Sequence, residues 1–107
     1  MSKLLRDLVQ KSALAVLSVS EVQIALIRPR DGLLAFCSVV LGGQFFVGGI
    51  ALHSAAPPRH YRLVFPRRDL GGGQRVEYAH PLTKELAQAI EDAVVERYEE
   101  LIDRLTK

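Results

Sequence analysis

The 107-residue sequence predicts an α+β domain. Its parts are a small antiparallel β-sheet, made of a meander plus short strands, a long C-terminal amphipathic helix and an extra N-terminal helix. Three observations point there. Residues 19–28 alternate in polarity, residues 33–41 form an apolar run that stops at two glycines, and from Leu86 onward the apolar spacing changes to three and four. A period of two belongs to strands and a period near 3.6 to helices.

Taken in order, residues 2–17 carry Leu4, Leu5, Leu8, Val9, Ala15 and Val16 near one helical face, with Ser2 placed as an N-cap. Residues 19–28 set Val22, Ile24 and Leu26 on one side and Glu21, Gln23 and Ala25 on the other, the pattern of a half-buried strand. Pro29-Arg30-Asp31-Gly32 reads as a turn, because proline presets φ and glycine tolerates the backbone angles at the turn's end. The run 33–41 is a second strand, and Gly42-Gly43 is a hairpin of the kind that needs positive φ. Residues 44–52 make a third strand, in which Gly48-Gly49 signals a bulge or a close backbone approach.

Residues 53–60, with Pro57-Pro58, read as a loop, 61–65 as a short fourth strand, 66–73 as a second loop and 74–79 as a fifth strand. The final helix carries Leu86, Ile90, Val94, Leu101 and Leu105, joined by Ala93, Tyr98 and Ile102. Thr83 is its N-cap and Leu82 a candidate hydrophobic staple. Glu91, Asp92, Glu96, Glu99 and Glu100 would fill the wet face. This divides the chain into a helical extension, residues 1–18, and one α+β domain, residues 19–107.

Composition narrows the function. At 49% hydrophobic and 24% charged the chain is that of a folded protein. Charge is uneven along it: residues 57–81 hold five arginines against Asp69 and Glu77, whereas residues 82–107 hold seven acidic and four basic groups. Such polarity suits an anionic partner for the basic part, or a solvated surface of uneven charge. Cys37 is the single cysteine and sits in the apolar run, so it reads as a small buried hydrophobe. The first eighteen residues lack an uninterrupted secretory apolar run, and no stretch is long enough to span a bilayer, so the expectation is a soluble cytoplasmic protein.

Gly71-Gly72-Gly73 invites a phosphate-loop reading, but Gln74-Arg75-Val76 follows where a lysine and a helix would be needed. His53, His60, His80 and Cys37 lack metal-ligand spacing, so no metal or cofactor is expected. His80-Pro81 reads as a junction at the helix entrance, with the imidazole bonding a loop carbonyl. No nucleophile-and-base arrangement stands out, and an enzyme is not expected. What remains is Arg59, Arg62, Arg67, Arg68 and Arg75 within seventeen residues. Arginine's planar fork suits phosphate oxygens, and such contacts are sequence-tolerant. The same residues also suit a charged strand edge that blocks wrong pairing.

The order of these pieces resembles the stage V sporulation protein G (SpoVG) family of septation regulators. The resemblance spans residues 20–102. It rests on Pro66-Arg67-Arg68, on the thirteen-residue step from Arg67 to His80-Pro81, and on Ala93, Val94 and Tyr98 in the helix. It implies a cytoplasmic homodimer that binds DNA, and in some members RNA, in regulation linked to septation, cell division or sporulation. It matches Arg67 and Arg68 to the family's basic pair, with Arg75 near a further basic position. Here Gly71-Gly72-Gly73 stands in place of a Pro-Asp-Gly-like turn, Ala51 in place of a basic residue, and the N-terminus is extended. The expectation is therefore phosphate contact through Arg67, Arg68 and Arg75, assisted by Arg59, Arg62 and Lys84. A second expectation, of another class, is a protein-interaction module using strand edges and the N-terminal helix. No small-molecule substrate or membrane partner is implied.

Overall fold

The computed structural model describes residues 17–106, and the helix expected over 2–17 lies almost entirely outside the described residues. Among the described residues there are six strands and one helix: β1 (Val19–Arg30), β2 (Leu33–Leu41), β3 (Phe45–Ser54), β4 (Tyr61–Val64), β5 (Arg67–Gly71), β6 (Gln74–Glu77) and α1 (Lys84–Thr106). β1 to β4 form an antiparallel sheet in sequence order, and β5 and β6 form a separate two-stranded ribbon. No helix among the described residues is long and apolar enough to cross a membrane.

The meander follows its turn chemistry. β1 runs on through Pro29 and Arg30, so the turn is only Asp31-Gly32, with φ of 50° and 86°. Two consecutive positive φ values match the right-handed twist of the flanking strands, and proline is tolerated because β1 is an edge strand. In β3 the Gly48-Gly49 bulge is present: Cys37 faces Ile50 and Val39 faces Val47, so one extra β3 residue is accommodated opposite Ser38. Gly49 has φ 69°, which a side chain would strain. The bulge keeps Val47 on the same buried side as Ile50 and Leu52.

α1 lies on that side. Thr83 caps it, accepting a hydrogen bond from the Leu86 N–H at 3.1 Å on its Oγ1. The predicted staple is not made, since Leu82 is 89% exposed. Ile90 and Val94 are buried against Ala35, Cys37, Val39, Val47, Ile50 and Leu52, with Leu86, Val95 and Tyr98 flanking this core. The Tyr61 and Tyr98 rings meet edge-to-face at 5.9 Å, joining β4 to the helix.

The region 66–73, expected as a loop, is instead the first strand of the ribbon. Gly72-Gly73 forms its two-residue turn, with φ of 57° and 79°. The Tyr78 N–H donates to the Pro66 carbonyl at 2.8 Å and closes the base. Every residue of β5 and β6 is exposed, so the ribbon stands clear of the core.

Candidate nucleic-acid interface

The ribbon's register sorts its charges. Arg67 pairs with Glu77, Asp69 with Arg75, and Arg68 with Val76. Paired residues share a face, so one face of the ribbon alternates base and acid. The other carries Arg68 with Val76 opposite it. Arg75 Nε lies 3.8 Å from Glu77 Oε1. Glu77 Oε2 in turn lies 3.4 Å from His80 Nε2, and His80 Nδ1 lies 3.2 Å from the Pro81 carbonyl, to which it can donate. The reading of His80 as a structural junction fits this geometry. Arg68 has no acid opposite it and is exposed.

Arg62 belongs to a second group. It pairs with His53 across β3 and β4. The His53 imidazole is held below its ordinary basicity, first by desolvation and then by the positive charges of Arg62 and Arg67. Positive charge from β4 and from the ribbon base thus converges on one histidine. The sequence marked Arg62 and Arg67 but not His53, because the pairing that brings them together spans two loops.

The remaining predicted residues stand elsewhere. Arg59 Nη2 is 2.7 Å from Glu91 Oε1, which ties the loop before β4 to the middle of α1. The Tyr61 hydroxyl donates to Glu99 at 3.2 Å, and burial together with that carboxylate raises its pKa. Glu91 is therefore engaged and largely covered, a correction to its wet-face assignment, whereas Glu99 stays exposed. Asp92, Glu96 and Glu100 complete an acidic groove along the same side. Lys84 opens α1 and borders a hollow shared with Arg59, Leu63 and Phe65. The structure brings Arg62, Arg67 and His53 together, keeps Arg68 and Arg75 on opposite faces of one ribbon, and sets Arg59 against an acid.

Chemically, this arrangement offers exposed cations with a histidine, His53, beside Arg62 and Arg67. Among the described residues no group of three or more His, Cys, Asp or Glu could hold a metal ion. Cys37 is buried, and burial pushes its thiol up to about 11, so it is neither nucleophile nor ligand at neutral pH. Comparison with protein-family models matches the one described as SpoVG over residues 17–100. Comparison with curated proteins returns no match.

Proposed function

The chain belongs to the SpoVG family, and from that premise we propose that it is a nucleic-acid-binding regulator of the sporulation and septation type, meeting phosphates through its basic ribbon. The observation that carries the reading is the ribbon itself. It is exposed along its whole length, with Arg67 and Arg68 at its base and a two-glycine tip. A twisted two-stranded ribbon is narrow enough to follow a groove. Arginines on such a ribbon neutralise phosphates and release counterions. Arg67 and Arg68 lead, Arg62 extends the cationic surface, and Arg75 contributes less because Glu77 shares its charge. Arg59 and Lys84 flank the helix side and assist only at a distance.

The protein acts as a homodimer, so that two ribbons meet one target and the joint surface sets affinity. The test is a salt titration of DNA and RNA binding, with light scattering in parallel. Wild-type protein binds at low salt and weakens steeply as salt rises. Arg67→Ala with Arg68→Ala lowers both affinity and slope. Absence of binding at low salt, or a double variant that binds like wild type, overturns the reading. Capture of a protein partner without nucleic-acid binding would instead favour an interaction module, which the outer edge of β1, paired with no further strand among the described residues, could serve.

A further inference from the structure

The sheet face away from α1 is not explained by phosphate contact. The register puts Ala25, Phe36, Ala51 and Val64 in one row across all four strands, and Val40 with Phe46 in a second. These are the partners of the residues that alternate with the buried core, so they point away from the helix. Phe36 is 44% exposed and Phe46 66%, although both lie on the central strands β2 and β3. Central-strand phenylalanines normally supply core. Here the rings are presented to solvent on a surface whose other residues between them on the two central strands are small: Ser38, Gly48 and Ala51.

Gly48 sharpens the point. A Cβ placed there would lie 3.0 Å from Phe46 Cε1 and 3.1 Å from Cζ. The Phe46 ring therefore occupies the space over Gly48, beside Ser38, and lies along the sheet. At one border of this face stand cations. Arg62 lies two residues before Val64 on β4, shares its face and pairs with His53, and the charge of Arg67 reaches the same histidine. An aromatic surface bordered by arginines matches unpaired bases with their phosphates: each base has a π-face for a ring, and the backbone follows the positive charge. A duplex hides its base faces and gains nothing from the rings.

Resting on the nucleic-acid reading above, we infer that this open sheet face is a stacking platform for single-stranded nucleic acid, with Phe36 and Phe46 taking bases and Arg62 and Arg67 taking the adjoining phosphates. The ribbon and the platform then divide the work. Arginines on the ribbon hold any polyanion, whereas the platform selects strands whose bases are free.

The test uses the full chain and labelled oligothymidylate, oligouridylate and a DNA duplex of equal length, read by fluorescence anisotropy. Leucine keeps the apolar volume but removes the π-face, so Phe36→Leu with Phe46→Leu should lower single-strand affinity about tenfold and leave duplex affinity within about twofold. Gly48→Ala, which crowds the Phe46 ring without touching charge, should act in the same direction. Circular dichroism checks that each variant is folded. Unchanged single-strand affinity in the leucine variants, or an equal fall on the duplex, overturns the inference while the phosphate-binding reading stands. An assembly of the wild type that the leucine variants dissolve to monomer also overturns it, because a second copy then covers the face. Wild type that binds no nucleic acid at all removes both readings together.

Discussion

Arg59 and Glu91 are joined side chain to side chain at 2.7 Å, and the acid is only 17% exposed while the arginine is 61% exposed. The pair fastens the loop before β4 to α1, and it removes Arg59 from the cations available to a polyanion. Hydrogen bonds to charged groups are worth more than neutral ones, but solvent reaches the arginine and weakens the attraction. Arg59→Ala should cost about 1 kcal/mol by urea denaturation and leave oligonucleotide affinity within about twofold. A loss of binding as large as that of the Arg67 and Arg68 variants would show that Arg59 exchanges Glu91 for phosphate.

Arg68 and Arg75 differ although both lie on the ribbon. Arg75 is within 3.8 Å of Glu77 and opposite Asp69, whereas Arg68 faces Val76. Each phosphate contact contributes roughly one unit to the slope of log affinity against log salt. Arg68→Ala should reduce the slope by about one, and Arg75→Ala by clearly less. Glu77→Gln should then tighten binding, since it releases Arg75. Equal slopes for the two arginine variants would mean that the ribbon's internal ion pairs dissolve on binding.

His53 gives the interface a pH dependence of definite sign. Arg62, Arg67 and desolvation hold the imidazole below its ordinary value, so the free protein keeps it neutral near neutral pH. A phosphate bound beside Arg62 and Arg67 offsets their charge and raises that value. The bound state then holds more protons than the free state, and affinity should rise as pH falls from 7 toward 5. His53→Gln should flatten the profile while retaining binding at pH 8. For folding the sign is opposite: the unfolded chain protonates first, so this residue's contribution is present above about pH 6.5 and declines below it. Binding that weakens on acidification in wild type and variant alike would place phosphate away from His53.

The meander was legible in the sequence because burial writes itself into residue order. Cys37, Val39, Ile50 and Leu52 alternate with smaller or exposed partners, and Gly48-Gly49 announces the bulge that keeps Val47 in register. The helix was legible for the same reason, through Ile90, Val94 and the Thr83 cap. The ribbon was not. Both of its faces are exposed, so no alternation of burial marks Arg67–Gly71 as a strand, and Pro66, Asp69 and three glycines carry loop composition. The matches of Arg67 with Glu77 and Asp69 with Arg75 become visible only when Gly72-Gly73 is recognised as the turn. The convergence of Arg62 and Arg67 on His53 depends on tertiary placement and has no local signal.

Cys37 tests the core directly. It is 3% exposed, lies opposite Ile24 and Ile50, and its thiol is pushed up to about 11 by burial. The native protein should resist a thiol reagent at pH 8, and reactivity should appear only with unfolding. The unfolded thiol ionises near 9, so above that pH the unfolded state loses protons that the native state keeps. The contribution of Cys37 to stability should be level below pH 9 and fall between 9 and about 11. Cys37→Ala removes that part of the fall at a small packing cost, and the difference between the two denaturation profiles isolates it from tyrosine titration. Rapid labelling under native conditions would show that the sheet opens at β2.

Gly49 and Gly72 both have positive φ, 69° and 57°, but in different settings. Gly49 sits in the bulge that returns Val47 to the core, and a Cβ there would find only the Pro66 ring at 3.9 Å. Space is therefore available, and the cost of Gly49→Ala is the backbone's alone, about 1–2 kcal/mol. Gly49→Val adds the bulk of a β-branched side chain in the same conformation and should cost more. Gly72 lies at the ribbon tip with nothing within 4 Å, and asparagine is well suited to the first position of such a turn. Gly72→Asn should therefore leave stability unchanged or slightly raised, because it removes freedom from the unfolded chain. It should also keep oligonucleotide binding, since no arginine moves. Thermal melts of the three variants separate these effects. A Gly72→Asn protein that melts normally yet binds weakly would mean that the glycine tip itself approaches the nucleic-acid backbone, which would make the Gly72-Gly73 turn part of the contact surface and not only its hinge.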